Sequence, residues 1–148
     1  MKMSWILVSN SNTAHIFSTP RAKLLNGDEG KILVFIKELE HPKSRLRKHD
    51  LVTDRQGNAG ATTYAAPNDP VEVERELFAH EITSALEKGR INHEFDDLIL
   101  VGPSHFLGKI NSCMKDHHSL NQLVSVQINK NYVTLDVEQL LSDLKKHL

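Results

Sequence analysis

The sequence predicts a single α/β domain built on a mixed five-stranded sheet, and three observations predict it. Two short runs, at residues 5–8 (Trp5, Ile6, Leu7, Val8) and 98–101 (Leu98, Ile99, Leu100, Val101), are apolar at every position, the pattern of strands covered on both faces. Three strand patterns precede the first helical pattern, after which helices and strands alternate, giving the order βββαβαβα. Short links between the first three strands favour an antiparallel meander, and right-handed crossovers set the later strands parallel.

The elements follow in order. The run at residues 5–8 stops at the polar stretch from Ser9 to Asn12, which reads as a turn, and His15, Ile16 and Phe17 begin the second strand. After the polar cluster at residues 26–30, residues 32–39 supply a third strand. Residues 41–69 keep neither a period of 2 nor one of 3.6, so they read as a long functional loop.

Asp69, Pro70 and Glu72 suit the cap, first position and capping-box acid of a helix that buries Phe78, Ile82, Ala85 and Leu86 and ends near Gly89. Gly102, Pro103 and Ser104 follow the strand at 98–101 and open a helix burying Phe106, Leu107, Ile110 and Met114. Val124, Val126 and Ile128 alternate with polar residues, as in a half-exposed edge strand. Asp136 and Gln139 begin a last helix carrying Val137, Leu140, Leu141, Leu144 and Leu148 inward. This is the ribonuclease H-like order of elements.

A chain of 148 residues, 39% hydrophobic and 25% charged, is sized for one domain, here taken as residues 1–148, with a core that needs no staples. The apolar run at residues 5–8 is too short for a signal peptide or a membrane span, so membrane insertion is not expected. Cys113 is the sole cysteine, which excludes an internal disulfide and fits a reducing cytoplasm. With 18 Lys+Arg against 19 Asp+Glu the net charge is −1, so any attraction to nucleic acid must be local. It is local at residues 41–55, where Lys43, Arg45, Arg47, Lys48 and Arg55 face only Asp50 and Asp54.

The words HPKSRLRKHDLVTDRQG, SNSNTAHIF and LILVGPSHFLG resemble those of the bacterial host-attachment proteins, and the similarity runs from Trp5 to the last helix. Those proteins are grouped with the middle domain of archaeal and eukaryotic class-1 release factors. The resemblance implies a ribonuclease H-like fold and, in the release factors, a Gly-Gly-Gln loop sent into the ribosomal peptidyl transferase centre. Here the corresponding loop reads Arg55, Gln56, Gly57, Asn58, Ala59, Gly60. The Gly-Gly-Gln order is absent, so peptidyl-tRNA hydrolysis does not carry over, and Gln56 remains the one candidate for positioning a water.

Other chemistry is poorly supplied. A two-metal nuclease needs carboxylates at strand ends, whereas the first strand ends in Ser9 and Asn10 and the fourth in Val101 and Gly102. His80 and Glu81 begin a zinc-protease pattern, but Ser84 stands where the second helical histidine belongs. The adjacent His117 and His118 diverge. Cys113 lies at helical spacing from Phe106 and Ile110, where a small buried hydrophobe is expected. No metal or cofactor is expected.

The basic segment is the stronger candidate. Arg45, Arg47, Lys48 and Arg55 suit phosphates, and His41 and His49 add hydrogen bonds and stacking. The bland alternative is a solvated charge run, or arginines paired with Asp50 and Asp54. Gly102 and Ser104 form a further anion candidate at a helix N-terminus, with an ordinary crossover turn as its alternative; Ser104 lacks the Gly-x-Ser-x-Gly elbow of a nucleophile and reads as a helix cap. Three functions stay open: a binding protein for RNA or the ribosome, a protein-binding partner in host attachment, and a hydrolase of an ester-linked RNA or nucleotide.

Overall fold

The structure is a computed structural model that describes residues 2–26, 33–41, 70–131 and 137–147. Strands β1 (Met3–Ser9), β2 (Thr13–Pro20), β3 (Val34–Glu40), β4 (Asp97–Gly102) and β5 (Val124–Asn129) form one sheet in the order β3-β2-β1-β4-β5. β2 runs antiparallel to β1 and β3, while β4 runs parallel to β1 and β5. Only β2 is reversed, which is the ribonuclease H-like arrangement expected from the order of elements.

The apolar runs explain the placement. β1 and β4 are interior neighbours, and Ile6, Leu7, Leu98, Ile99, Leu100 and Val101 are fully buried; each such side chain contributes about 1.5–3 kcal/mol on leaving water. β5 lies at one edge and alternates between covered and exposed positions. β3 lies at the other edge, with residues 34–38 exposed.

Helices cover both faces. Trp5, Leu7, Ala14, Ile16, Leu98 and Leu100 point to α2 (Pro70–Ile91), α3 (Ser104–Met114) and the short α4 (His118–Asn121). Ile6, Val8, Phe17, Ile99, Val101 and Ile128 point the other way, toward Leu24 of α1 (Arg21–Asn26) and Leu140 and Leu144 of α5 (Val137–His147). The two opposite parities of β1 thus feed two separate cores.

Three elements differ from the expectation. α1 and α4, six and four residues long, are too short to show a helical period. α1 is held instead by a buried polar contact: Arg21 Nη1 donates to Asp97 Oδ2 at 2.7 Å, beside Ser4 Oγ donating to the same oxygen at 2.8 Å. On α5, Leu140 and Leu144 are buried as expected, but Val137 is exposed and the inward face includes Asp143, which meets Lys130 at 2.9 Å. Asp69, Asp136 and Leu148 lie outside the described residues.

The end of α2 needs a correction. Gly89 is not its stop; the helix continues to Ile91 and Gly89 is buried within it. A Cβ there would collide with the Trp5 ring, 2.6 Å from Cζ3, and stand 3.1 Å from Phe95 Cε1, so the glycine serves helix-to-sheet packing. Trp5 is in turn stacked on Phe95 at 4.6 Å between ring centroids. The helix stops two residues later, where Glu94 N donates to Gly89 O and His93 N to Arg90 O, with His93 in the left-handed region at φ 57°. This is a Schellman closure with histidine at the position glycine usually takes.

Candidate functional site

Parallel strands β1, β3 and β4 bring their carboxyl ends to one rim of the sheet, and the helices that follow β3 and β4 in the chain begin there. Each part of the rim is fixed locally. Asn10 Oδ1 accepts from Asn12 N at 2.8 Å and Thr13 N at 2.9 Å, closing the β1–β2 turn with its own side chain. His41 N donates to Asn12 O at 2.8 Å, so the end of β3 is tied to that turn.

His41 then joins the rim to α2. The residue is buried, its Nε2 lies 3.1 Å from the Glu74 carbonyl oxygen, and its ring lies 5.3 Å from Phe78. Because a carbonyl only accepts, this contact places the proton on Nε2. The expectation that His41 offers its ring to a ligand is therefore corrected: the imidazole anchors the beginning of the basic segment to the first turns of α2. Arg45, Arg47, Lys48, His49, Arg55 and Gln56 lie outside the described residues. What the structure does place is both margins of that segment, His41 and Pro70, on this one rim.

A charged cluster ties α2 to α3 beside it. Glu72 meets Lys109 Nζ at 2.6 Å, Arg75 Nη1 at 2.8 Å and His105 Nε2 at 3.4 Å. The Lys109 ammonium, then the Arg75 guanidinium, hold the Glu72 carboxyl down at about 2. The Glu72 carboxylate bridges two helices, while Asp69, its partner in the expected capping box, lies outside the described residues.

Ser104 also needs a correction. Pro103 occupies the cap position of α3 in an extended conformation, φ −67° and ψ 144°, and no side chain caps the helix. Ser104 is the first helical residue and is exposed, so its hydroxyl does not serve as the cap. Beneath that turn the ends of β1 and β4 approach closely: a Cβ on Gly102 would stand 2.5 Å from the Ser9 carbonyl oxygen and 3.5 Å from Leu107 Cδ2. Ser9 Oγ is buried and has no hydrogen-bond partner among the described residues. A serine at a strand end is ordinary in sequence, and only its burial in the fold sets Ser9 apart.

The remaining candidates are structural. Cys113 is buried, and burial pushes its thiol above the ordinary range, against a smaller opposing hydrogen bond from Thr83. His117 Nδ1 lies 2.9 Å from Glu87 Oε2, and Glu87 also takes Arg90, so this histidine braces the helical layer. Among the described residues no three His, Cys, Asp or Glu side chains gather as metal ligands, and no helix is long and apolar enough to cross a membrane.

Residues 5–144 match the profile of the family described as protein required for attachment to host cells. The chain belongs to that family. No curated protein matches the sequence significantly. Among solved structures, an archaeal translation termination factor is similar to 97% of the chain at 12% identity and a TM-score of 0.49, and an archaeal protein to 97% at 13% and 0.45. The host-attachment chain spans only 37% and 36% of those two chains.

Proposed function

We propose that this host-attachment family member is a binding protein for RNA, or for an RNA-bearing part of the translation machinery, that presents residues 41–60 from the carboxyl rim of its sheet. The observation that carries the reading is the anchoring of that segment. His41, locked to Asn12 and Glu74, and Pro70, the first residue of α2, bound the longer stretch 41–69 that contains it, on the rim where α2 and α3 begin. Helix N-termini favour negative charge, and the segment itself concentrates Arg45, Arg47, Lys48 and Arg55 in a chain of net charge −1. The cations of the segment and the helix ends would both favour a polyanion.

The strand ends give no support to metal-assisted hydrolysis, since β1 closes on Ser9 and β4 on Gly102. Binding without catalysis is the simpler role, and Gln56 is the only residue reserved for the hydrolase reading. The family's description favours a second reading, in which the same basic segment engages an acidic protein during attachment to host cells.

Fluorescence anisotropy with a short single-stranded RNA separates these. The triple variant Arg45→Ala/Arg47→Ala/Lys48→Ala is expected to keep the parent's melting temperature and lose most RNA affinity. Equal RNA binding by parent and variant would remove the basic segment as the RNA surface, and no RNA binding by the parent at low salt would leave the protein partner.

A further inference from the structure

We propose that the first turn of α3, with Ser9 and Gly102 beneath it, is a discrete seat for one phosphate group. The inference rests on the RNA-binding reading and deepens it by naming where a phosphate docks on the folded rim itself, apart from the basic segment.

Three observations converge there. First, α3 begins without a side-chain cap, and its first bonded amide is Leu107 N, which donates to Pro103 O at 2.9 Å; the amides of Ser104, His105 and Phe106 have no intrahelical acceptor. Second, Ser9 Oγ is a buried hydroxyl with no partner among the described residues. Such a group is costly to leave unpaired, and one without a protein partner calls for another acceptor.

Strand parity sets the direction of Ser9. Trp5 and Leu7 face α2 and α3, so Ser9, two residues further, faces the same layer. The close approach at Gly102, between the Ser9 carbonyl and Leu107, puts the end of β1 directly under the opening turn of α3. Third, the site lies between parallel strands β1 and β4, whose chains leave to opposite sides, β1 to β2 and β4 by way of α3 to β5. The crevice outside the carboxyl ends of such a pair is where open α/β sheets bind ligands.

The surrounding charges set the strength. Lys109 and Arg75 are offset by Glu72 and Glu76, and His105 faces Glu72, so the corner has little net charge and the amides carry the attraction. Binding is therefore weak for an isolated anion, and Glu72 opposes it. A phosphate that displaces Lys109 from Glu72 gains a cation; removing the carboxylate gives the same gain in advance.

The probe is inorganic phosphate titrated into the 15N-labelled full chain against sodium chloride at matched ionic strength. Saturable shifts of the Ser104, His105 and Phe106 amides are expected, weakened about fivefold in Ser9→Ala, as for loss of one hydrogen bond, and strengthened in Glu72→Gln. Methyl phosphate and dimethyl phosphate distinguish a terminal phosphate from a backbone diester as the natural source. Absence of saturable shifts up to about 100 mM, a concentration at which even the weakest specific site is occupied, overturns the proposal, as do shifts that Ser9→Ala leaves unchanged. The triple variant in the basic segment keeps the phosphate shifts if the seat is real, so loss of RNA affinity in that variant reports on the segment and not on this site.

Discussion

Replacing Gly89 by alanine pits two effects of opposite sign against each other. In a helix interior, alanine exceeds glycine by about 1 kcal/mol through backbone entropy alone, so an open site would gain stability. At Gly89 the new Cβ lands on the Trp5 ring and against Phe95. Neither ring can move aside, because Trp5 is 5% and Phe95 3% exposed and the two are stacked. Overpacking of this kind costs about 1–3 kcal/mol, and the stacked pair places it toward the upper end.

The net expectation is a loss of about 1–2 kcal/mol, or about 3–6 °C in melting temperature for a chain of this length. Gly108→Ala is the internal control: that glycine is also helical, but nothing lies within 4 Å of its Cβ position, so the same substitution should raise the melting temperature by about 3 °C. Circular dichroism melts of parent and both variants read the signs. A Gly89→Ala protein as stable as the parent would refute the packing role of that glycine.

Three further outcomes follow from other contacts. His93→Gly should stabilise by about 0.5–1 kcal/mol in urea unfolding, because glycine takes the left-handed φ of 57° without the penalty of a Cβ. Arg21→Ala should cost about 2–3 kcal/mol by leaving the buried Asp97 carboxylate with Ser4 alone, and pairing it with Asp97→Asn should recover part of that loss. Glu72 has a folded pKa near 2, below its unfolded value, so the stability it contributes is full above about pH 4.3 and fades as pH falls toward 2; carbon-detected NMR titration should find the Glu72 carboxyl raised in Lys109→Met but still below the ordinary range, because Arg75 stays in place, and an unchanged value would discount the Lys109 ion pair.

Much of the sheet was legible because burial on both faces leaves a mark that needs no partner to read. Residues 5–8 and 98–101 have no polar position, and they became the two interior strands; Val124, Val126 and Ile128 alternate, and theirs became an edge. The third strand misleads in the same terms: Val34, Phe35 and Ile36 are apolar in succession, yet they are 58%, 53% and 45% exposed at the opposite edge. Local signals fared less well where tertiary contacts redirect them. Gly89 resembled a helix stop and is a packing site, Glu72 gave no sign of the interhelical bridge it makes to Lys109, and His41 resembled a ligand group and is an anchor. In the rim, the sequence shows Gly102 and Ser104 but cannot show that Ser9, far away in the chain, lies beneath them with a hydroxyl that has no partner among the described residues.

The measurement that bears most directly on the central claim is the salt dependence of RNA affinity for the parent and the triple variant, followed by anisotropy at several sodium chloride concentrations. Phosphate neutralisation releases counterions, and for a single strand each contact steepens the plot of log affinity against log salt by about 0.7. The parent should show a steep fall, and the loss of Arg45, Arg47 and Lys48 should flatten the slope by about 2 units with the fold intact. A slope that is flat in the parent, or the same in both proteins, would contradict an RNA-binding role for the basic segment.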